Sequence, residues 1–233
     1  MNKSPSNIIH YCKIKILLYF NKSMSNPKMF IFLHGYNSCG NAMKILDTTF
    51  QKIAPKNSVF LYPDAPFKVN NSDNYCWFQF VFGDDPFAIN EEFVFQSMQQ
   101  TMPYLSSFIQ QNLAKYTNFS YKDIILVGFS QGAGLALHAA MHLPNPICGA
   151  ISFSGGLANP NNEIDKPYIN RCSLLLIHGT EDNVLPYQFS SRGAKMLKKS
   201  GFDVKLCLLK NTKHVITPEA INISEKFIDT ICQ

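Results

Sequence analysis

The chain has 233 residues, of which 46% are hydrophobic and 16% charged, enough apolar residues for one sizeable core and too many for an intrinsically disordered protein. Its net charge of +5 resides in residues 1–28, which hold Lys3, Lys13, Lys15, Lys22 and Lys28 and no acidic residue. The remainder is neutral and has no basic stripe interleaved with aromatics, which excludes a nucleic-acid partner.

Residues 1–28 read as an N-terminal extension or a first strand. The apolar run Ile8–Phe20 is interrupted by Lys13 and Lys15 and falls short of a membrane span. A signal peptide needs a cleaner apolar stretch and a small-residue cleavage site. Three readings stay open: a signal or anchor segment, a strand Tyr11–Phe20 with a turn at Asn21–Asn26, and a translation start at Met24.

From residue 29 to residue 233 the pattern predicts one domain. Short apolar runs bounded by polar, Gly or Pro residues predict strands at Met29–Leu33, Val59–Tyr62, Ile124–Val127, Ala150–Phe153, Leu174–Ile177 and Val204–Leu209. Helices are predicted at Asn41–Ile53, Glu91–Tyr116, Gln131–His142, Gln188–Ser200 and Pro218–Ile231, with Gly201 placed to stop the fourth. This alternation implies an α/β fold with a mostly parallel sheet and helices on both faces. Such sheets gather functional residues in the loops beyond the carboxyl ends of the strands.

After the strand at Ile124–Val127 comes Gly128-Phe129-Ser130-Gln131-Gly132, followed at once by a helical run. A sharp strand-to-helix turn strains its central residue, and small residues two before and two after relieve the crowding. Gly128 and Gly132 fill those places, and Ser130 is the candidate nucleophile. Chance supplies only about 0.1 such patterns in a chain of this length at average glycine usage.

A serine hydroxyl needs a base, and the base needs a carboxylate to hold its tautomer. On this kind of turn the chain order is Ser, Asp or Glu, then His. The strand at Leu174–Ile177 leads into His178-Gly179-Thr180-Glu181-Asp182, which offers Asp182, with Glu181 as its neighbour. The last strand leads into Lys210-Asn211-Thr212-Lys213-His214, which offers His214 as base.

Acyl transfer also needs amide donors for the developing oxyanion, each worth about 10²–10³ in rate. The amide of Gln131, next to the nucleophile, and that of Tyr36, after His34-Gly35, are the candidates.

The other histidines read differently. His34 and His178 each end a strand and precede Gly, which suits loop-shaping bonds to backbone. His138 and His142 share one helix face, but no carboxylate or third ligand accompanies them, so no metal site is expected. His10 lies in the N-terminal segment. The seven cysteines form no CxxC pair, which points to free, mostly buried thiols in a reducing, cytoplasmic setting.

Two long loops stand apart, Pro63–Asp85 and Leu157–Arg171. The first carries Trp77, Phe78 and Phe80, candidates for walling an apolar acyl or alcohol pocket, with core packing as the alternative.

Taken together, Phe32-Leu33-His34-Gly35, Tyr62-Pro63-Asp64-Ala65-Pro66, Trp77-Phe78, Gly128-Phe129-Ser130-Gln131-Gly132, His178-Gly179 with Asp182 and Pro186, and His214 resemble the phospholipase/carboxylesterase family, which includes acyl-protein thioesterases. The resemblance implies an α/β-hydrolase fold, a Ser130–His214–Asp182 triad without cofactors, and Asp182 rather than Glu181 as the acid. One departure is Asn37-Ser38 where the family often has Gly-Asp. Asn tolerates a left-handed backbone, so the turn can survive. The expected function is a serine carboxylesterase acting on small or medium acyl esters. The alternatives are a thioesterase acting on a lipidated protein and a non-catalytic binding protein of the same fold.

Overall fold

A computed structural model describes residues 26–79, 90–158 and 171–233. Tyr11–Phe20, Phe80, and most of the loop before Arg171 lie outside the described residues.

The strands are β1 (Met29–Leu33), β2 (Val59–Leu61), the short pair β3 (Phe67–Lys68) and β4 (Tyr75–Cys76), β5 (Ile124–Phe129), β6 (Gly149–Phe153), β7 (Ser173–Gly179) and β8 (Asp203–Leu209). Six of them form one sheet in the order β2-β1-β5-β6-β7-β8, and every pairing in it is parallel. The helices are α1 (Gly40–Met43), α2 (Asp47–Ile53), α3 (Glu91–Lys115), α4 (Gln131–His142), α5 (Gln188–Lys199) and α6 (Pro218–Ile231).

The continuous apolar runs follow from burial on both sheet faces. Side chains alternate across a strand, so odd and even positions feed different cores. Met29, Ile31 and Leu33 of β1 join Leu126, Leu174 and Leu176 in a layer with α3, α4 and α5. Phe30 and Phe32 join Val127, Ile151 and Ile177 in the opposite layer with α2 and α6. Helices cover both faces, which is why these strands read as apolar runs rather than alternating ones.

The helix ends obey local chemistry. Asn90 caps α3 by accepting from the Phe93 amide at 3.0 Å, with Glu91 and Glu92 in the positive first turn. Thr217 caps α6 by accepting from the Ala220 amide at 3.2 Å, with Pro218 in its first turn. Gly201 ends α5 at φ +85°, and the Phe202 amide returns to the Leu197 carbonyl at 3.0 Å. The helix expected at Asn41–Ile53 is instead divided into α1 and α2 by a 3₁₀ turn at Lys44–Leu46. Asp47 heads the second segment, where its carboxylate accepts from the Tyr62 hydroxyl at 2.7 Å and from Gln51 at 2.9 Å. These contacts and the favourable dipole begin a new helix there.

The six described cysteines are free; three are buried and three partly buried.

Candidate active site

The carboxyl ends of β1, β5, β7 and β8 bring the candidate residues to one edge of the sheet. Ser130 sits between β5 and α4 at φ 53°, ψ −115°, a conformation that costs a non-glycine residue about 1–3 kcal/mol. The surroundings enforce it. The Ser130 amide donates to the Phe153 carbonyl at 2.9 Å, tying the turn to β6. A methyl group on Gly128 would lie 2.2 Å from the Gly132 carbonyl oxygen, and one on Gly132 would lie 2.1 Å from that of Leu33. Both glycines are therefore demanded by backbone contact, for the reason the turn geometry predicts.

Asp182 lies in the loop after β7 with its side chain fully buried. Its Oδ1 accepts from the amides of Val184 and Leu185, each at 2.9 Å. Its Oδ2 lies 2.6 Å from His214 Nδ1 and 3.0 Å from His178 Nε2. Burial works to raise the Asp182 pKa, but the Leu185 amide, His214 and the Val184 amide outweigh it, and the net direction is down. The group is a carboxylate at neutral pH.

The pairing of β7 with β8 sets this meeting. Beyond the strands the ladder continues through the Thr180 amide to the Leu209 carbonyl and the Glu181 amide to the Thr212 carbonyl, both 2.9 Å. A methyl group on Gly179 would lie 2.1 Å from the Thr212 carbonyl oxygen, so the loops that carry Asp182 and His214 touch at a glycine. His214 is 13% exposed at its side chain, and its ring centroid is 4.9 Å from that of Phe129, the residue before Ser130.

Gly35 puts the loop after β1 against Ser130: a methyl group there would be 3.5 Å from Ser130 Cβ. Asn37 follows Tyr36 at φ 51°, the left-handed conformation expected of that substitution. Gln131 opens α4, where first-turn amides lack intrahelical acceptors.

The sequence reading missed a polar frame behind this loop. Gln131 Oε1 accepts from the Trp77 amide at 2.8 Å, and its Nε2 donates to the Phe78 carbonyl at 2.6 Å. Trp77 Nε1 donates to the His34 carbonyl at 2.8 Å, and His34 Nε2 accepts from the Ala65 amide at 3.0 Å. His34 thus shapes its loop as expected; burial lowers its pKa against the opposing Gly35 carbonyl, consistent with the neutral ring that acceptance requires. Trp77 and Phe78 are 0% and 1% exposed, sealed in the core rather than presented on an open surface. Phe80, the third aromatic, lies outside the described residues.

His138 and His142 stack at 4.1 Å between ring centroids, with Phe95 edge-on to both. Burial and the neighbouring His142 push the His138 pKa down to about 3. The pair belongs to the α3–α4 packing, far in sequence from Asp182 and His214.

A model of the phospholipase/carboxylesterase family matches residues 20–232. Carboxylesterase SOBER1 of Arabidopsis thaliana is 23% identical over 204 residues, covering 85% of this chain and 88% of that protein. Acyl-protein thioesterase 1 of Candida albicans is 26% identical over 215 residues, covering 87% of this chain and 91% of that one. Among solved structures, esterase PE8 superposes with a TM-score of 0.80 at 28% identity, covering 90% of this chain and 94% of that one.

Proposed function

The chain belongs to the phospholipase/carboxylesterase family of α/β-hydrolases, and from that premise we propose that it is a carboxylesterase using Ser130 as nucleophile, His214 as base and Asp182 as the carboxylate that holds His214. The activity class is that of a serine hydrolase acting on esters or thioesters. The observation that carries the residue assignment is the 2.6 Å contact of His214 Nδ1 with a buried carboxylate, on loops that meet beside the strained turn of Ser130.

In this reading His214 Nε2 takes the Ser130 proton as Oγ attacks the acyl carbonyl. The oxyanion forms beneath the amides of Tyr36 and Gln131. His214 then gives the proton to the departing alcohol or thiol, and water repeats the sequence on the acyl-enzyme, releasing the acid and restoring Ser130. Asp182 stays ionised throughout, which its lowered pKa supports.

Small and medium acyl esters are the proposed substrates. A second reading, removal of acyl groups from lipidated protein thiols, is favoured by the exposed apolar residues beside the site. Tyr36, Val184 and Val215 are 39%, 59% and 51% exposed, each within two residues of a proposed functional position. Free thiols at all six described cysteines support a reducing, cytoplasmic setting. No helix among the described residues is long and apolar enough to cross a membrane.

Hydrolysis of nitrophenyl esters from acetate to palmitate, with Ser130→Ala measured in parallel, tests the assignment. Turnover that vanishes in the variant while its melting temperature holds is the expected result. A maximum at short chains supports the esterase reading and one at palmitate the deacylase. Turnover retained without the Ser130 hydroxyl overturns the mechanism.

A further inference from the structure

Asp182 Oδ2 receives two imidazoles, and only His214 has a place in the mechanism. The second, His178, ends β7 and is 1% exposed. Its Nε2 lies 3.0 Å from Asp182 Oδ2 and 2.8 Å from the Leu185 carbonyl oxygen. Its Nδ1 lies 2.7 Å from Ser190 Oγ, and that hydroxyl also contacts the Gly155 carbonyl.

Donor accounting fixes the tautomer. A carboxylate and a carbonyl only accept, so Nε2 carries the hydrogen, and the Leu185 carbonyl and Asp182 Oδ2 share it. Burial lowers the His178 pKa, against the opposing pulls of the Leu185 carbonyl and Asp182, and leaves the ring neutral. Nδ1 is then an acceptor, and it shares the single hydrogen of the Ser190 hydroxyl with the Gly155 carbonyl. Ser190 stands on α5 and Leu185 in the loop after β7, so two separate segments orient this ring.

We propose that His178 is a positioning residue for the reaction: its Nε2–H, held by Ser190, fixes the Asp182 carboxylate so that Oδ2 meets His214 Nδ1 in the productive orientation. The inference rests on the triad reading given above. Asp182 Oδ1 is already pinned by two amides, and without His178 nothing among the described residues but His214 itself would hold Oδ2. A base cannot supply its own rigid reference, because its ring must keep its aim while Nε2 gains and returns the Ser130 proton.

The test compares His178→Leu, which removes the donor, with His178→Gln, whose amide nitrogen reaches the Nε2 position. Ester turnover is measured beside Ser130→Ala. The Leu variant is expected to lose roughly tenfold or more in kcat with KM nearly unchanged, and the Gln variant to recover most of that loss. Equal losses in both, or a loss confined to KM, overturn the proposal, as does a Leu variant with full kcat. If the Leu variant does not fold, the Gln variant decides. A kcat within about threefold of wild type sustains the donor role, and a loss of about a hundredfold at an unaltered melting temperature rejects it. Turnover surviving in Ser130→Ala would instead condemn the triad reading, which separates the two failures.

Discussion

Exchange of Asp182 for Asn is nearly isosteric, and its consequences follow from counting hydrogens. The carboxylate accepts three bonds, from the Val184 and Leu185 amides at Oδ1 and from His214 at Oδ2, and His178 Nε2 stands 3.0 Å from the same Oδ2. An Asn side chain has one accepting oxygen and one NH₂ group. Turning the NH₂ toward the loop amides would oppose two backbone donors, so the oxygen stays at the Oδ1 position and the NH₂ faces the two imidazoles. His214 can relieve its clash by moving its proton to Nε2, but that tautomer cannot take the proton of Ser130. His178 has no such escape, because the Leu185 carbonyl at 2.8 Å requires its Nε2–H. One opposed donor pair therefore remains buried, at a cost of about 1–3 kcal/mol. For a domain of this size that lowers the melting temperature by roughly 2–12 °C. The tautomer trap lowers kcat by about 10⁴, near 5.5 kcal/mol of barrier, with KM little changed. Steady-state hydrolysis of a short nitrophenyl ester and a thermal melt read the two effects. A variant within about tenfold of wild-type kcat would refute the reasoning, since the trapped tautomer could not turn over at that rate.

Gly132→Ala should cost about 3 kcal/mol or more and impair turnover, because its methyl group would lie 2.1 Å from the Leu33 carbonyl oxygen and 2.5 Å from that of His34; an unchanged melting temperature would contradict this. His138 supplies a pH prediction. Its pKa falls from 6.5 to about 3 on folding, so the unfolded chain binds the proton more readily between those values. Stability is full above about pH 6.5 and declines below it by up to about 1.4 kcal/mol per pH unit. His138→Leu should flatten that decline in denaturant titrations across pH 4–7 (roughly the window of linkage), and an unaltered slope would exclude the histidine as its source.

How much of this was legible in the sequence depends on where the determining forces are local. The strands were readable because both sheet faces are buried, which turns each into an unbroken apolar run such as Met29–Leu33. Residues Gly128 to Gly132 were readable because sterics at a sharp turn admit few solutions. Asn37 was read as a residue able to turn left-handed, and it does so at φ 51°. The division between α1 and α2 was not visible, since Asp47 meets its partner Tyr62 across 15 positions. The second imidazole on Asp182 was also missed. His178 looked like a loop-shaping residue, and it does bond the Leu185 carbonyl, but a reading of one loop cannot show that Ser190 of α5 turns the same ring toward the carboxylate.

Gln131 joins these observations. Its backbone places it next to Ser130, and its proposed role there uses only the amide, which any residue but Pro could supply. The side chain explains why glutamine in particular stands at this place. Its amide accepts from the Trp77 backbone N–H and donates to the Phe78 carbonyl at once, and loss of the acceptor at a buried N–H costs about 1–3 kcal/mol. Because Trp77 in turn donates to the His34 carbonyl, the loop after β1 and the start of α4 are braced through one side chain. The two proposed oxyanion donors, Tyr36 and Gln131, come from these two braced segments. Their spacing is thereby set by folding, before any substrate arrives, which is what an oxyanion site requires if it is to avoid reorganisation during the reaction.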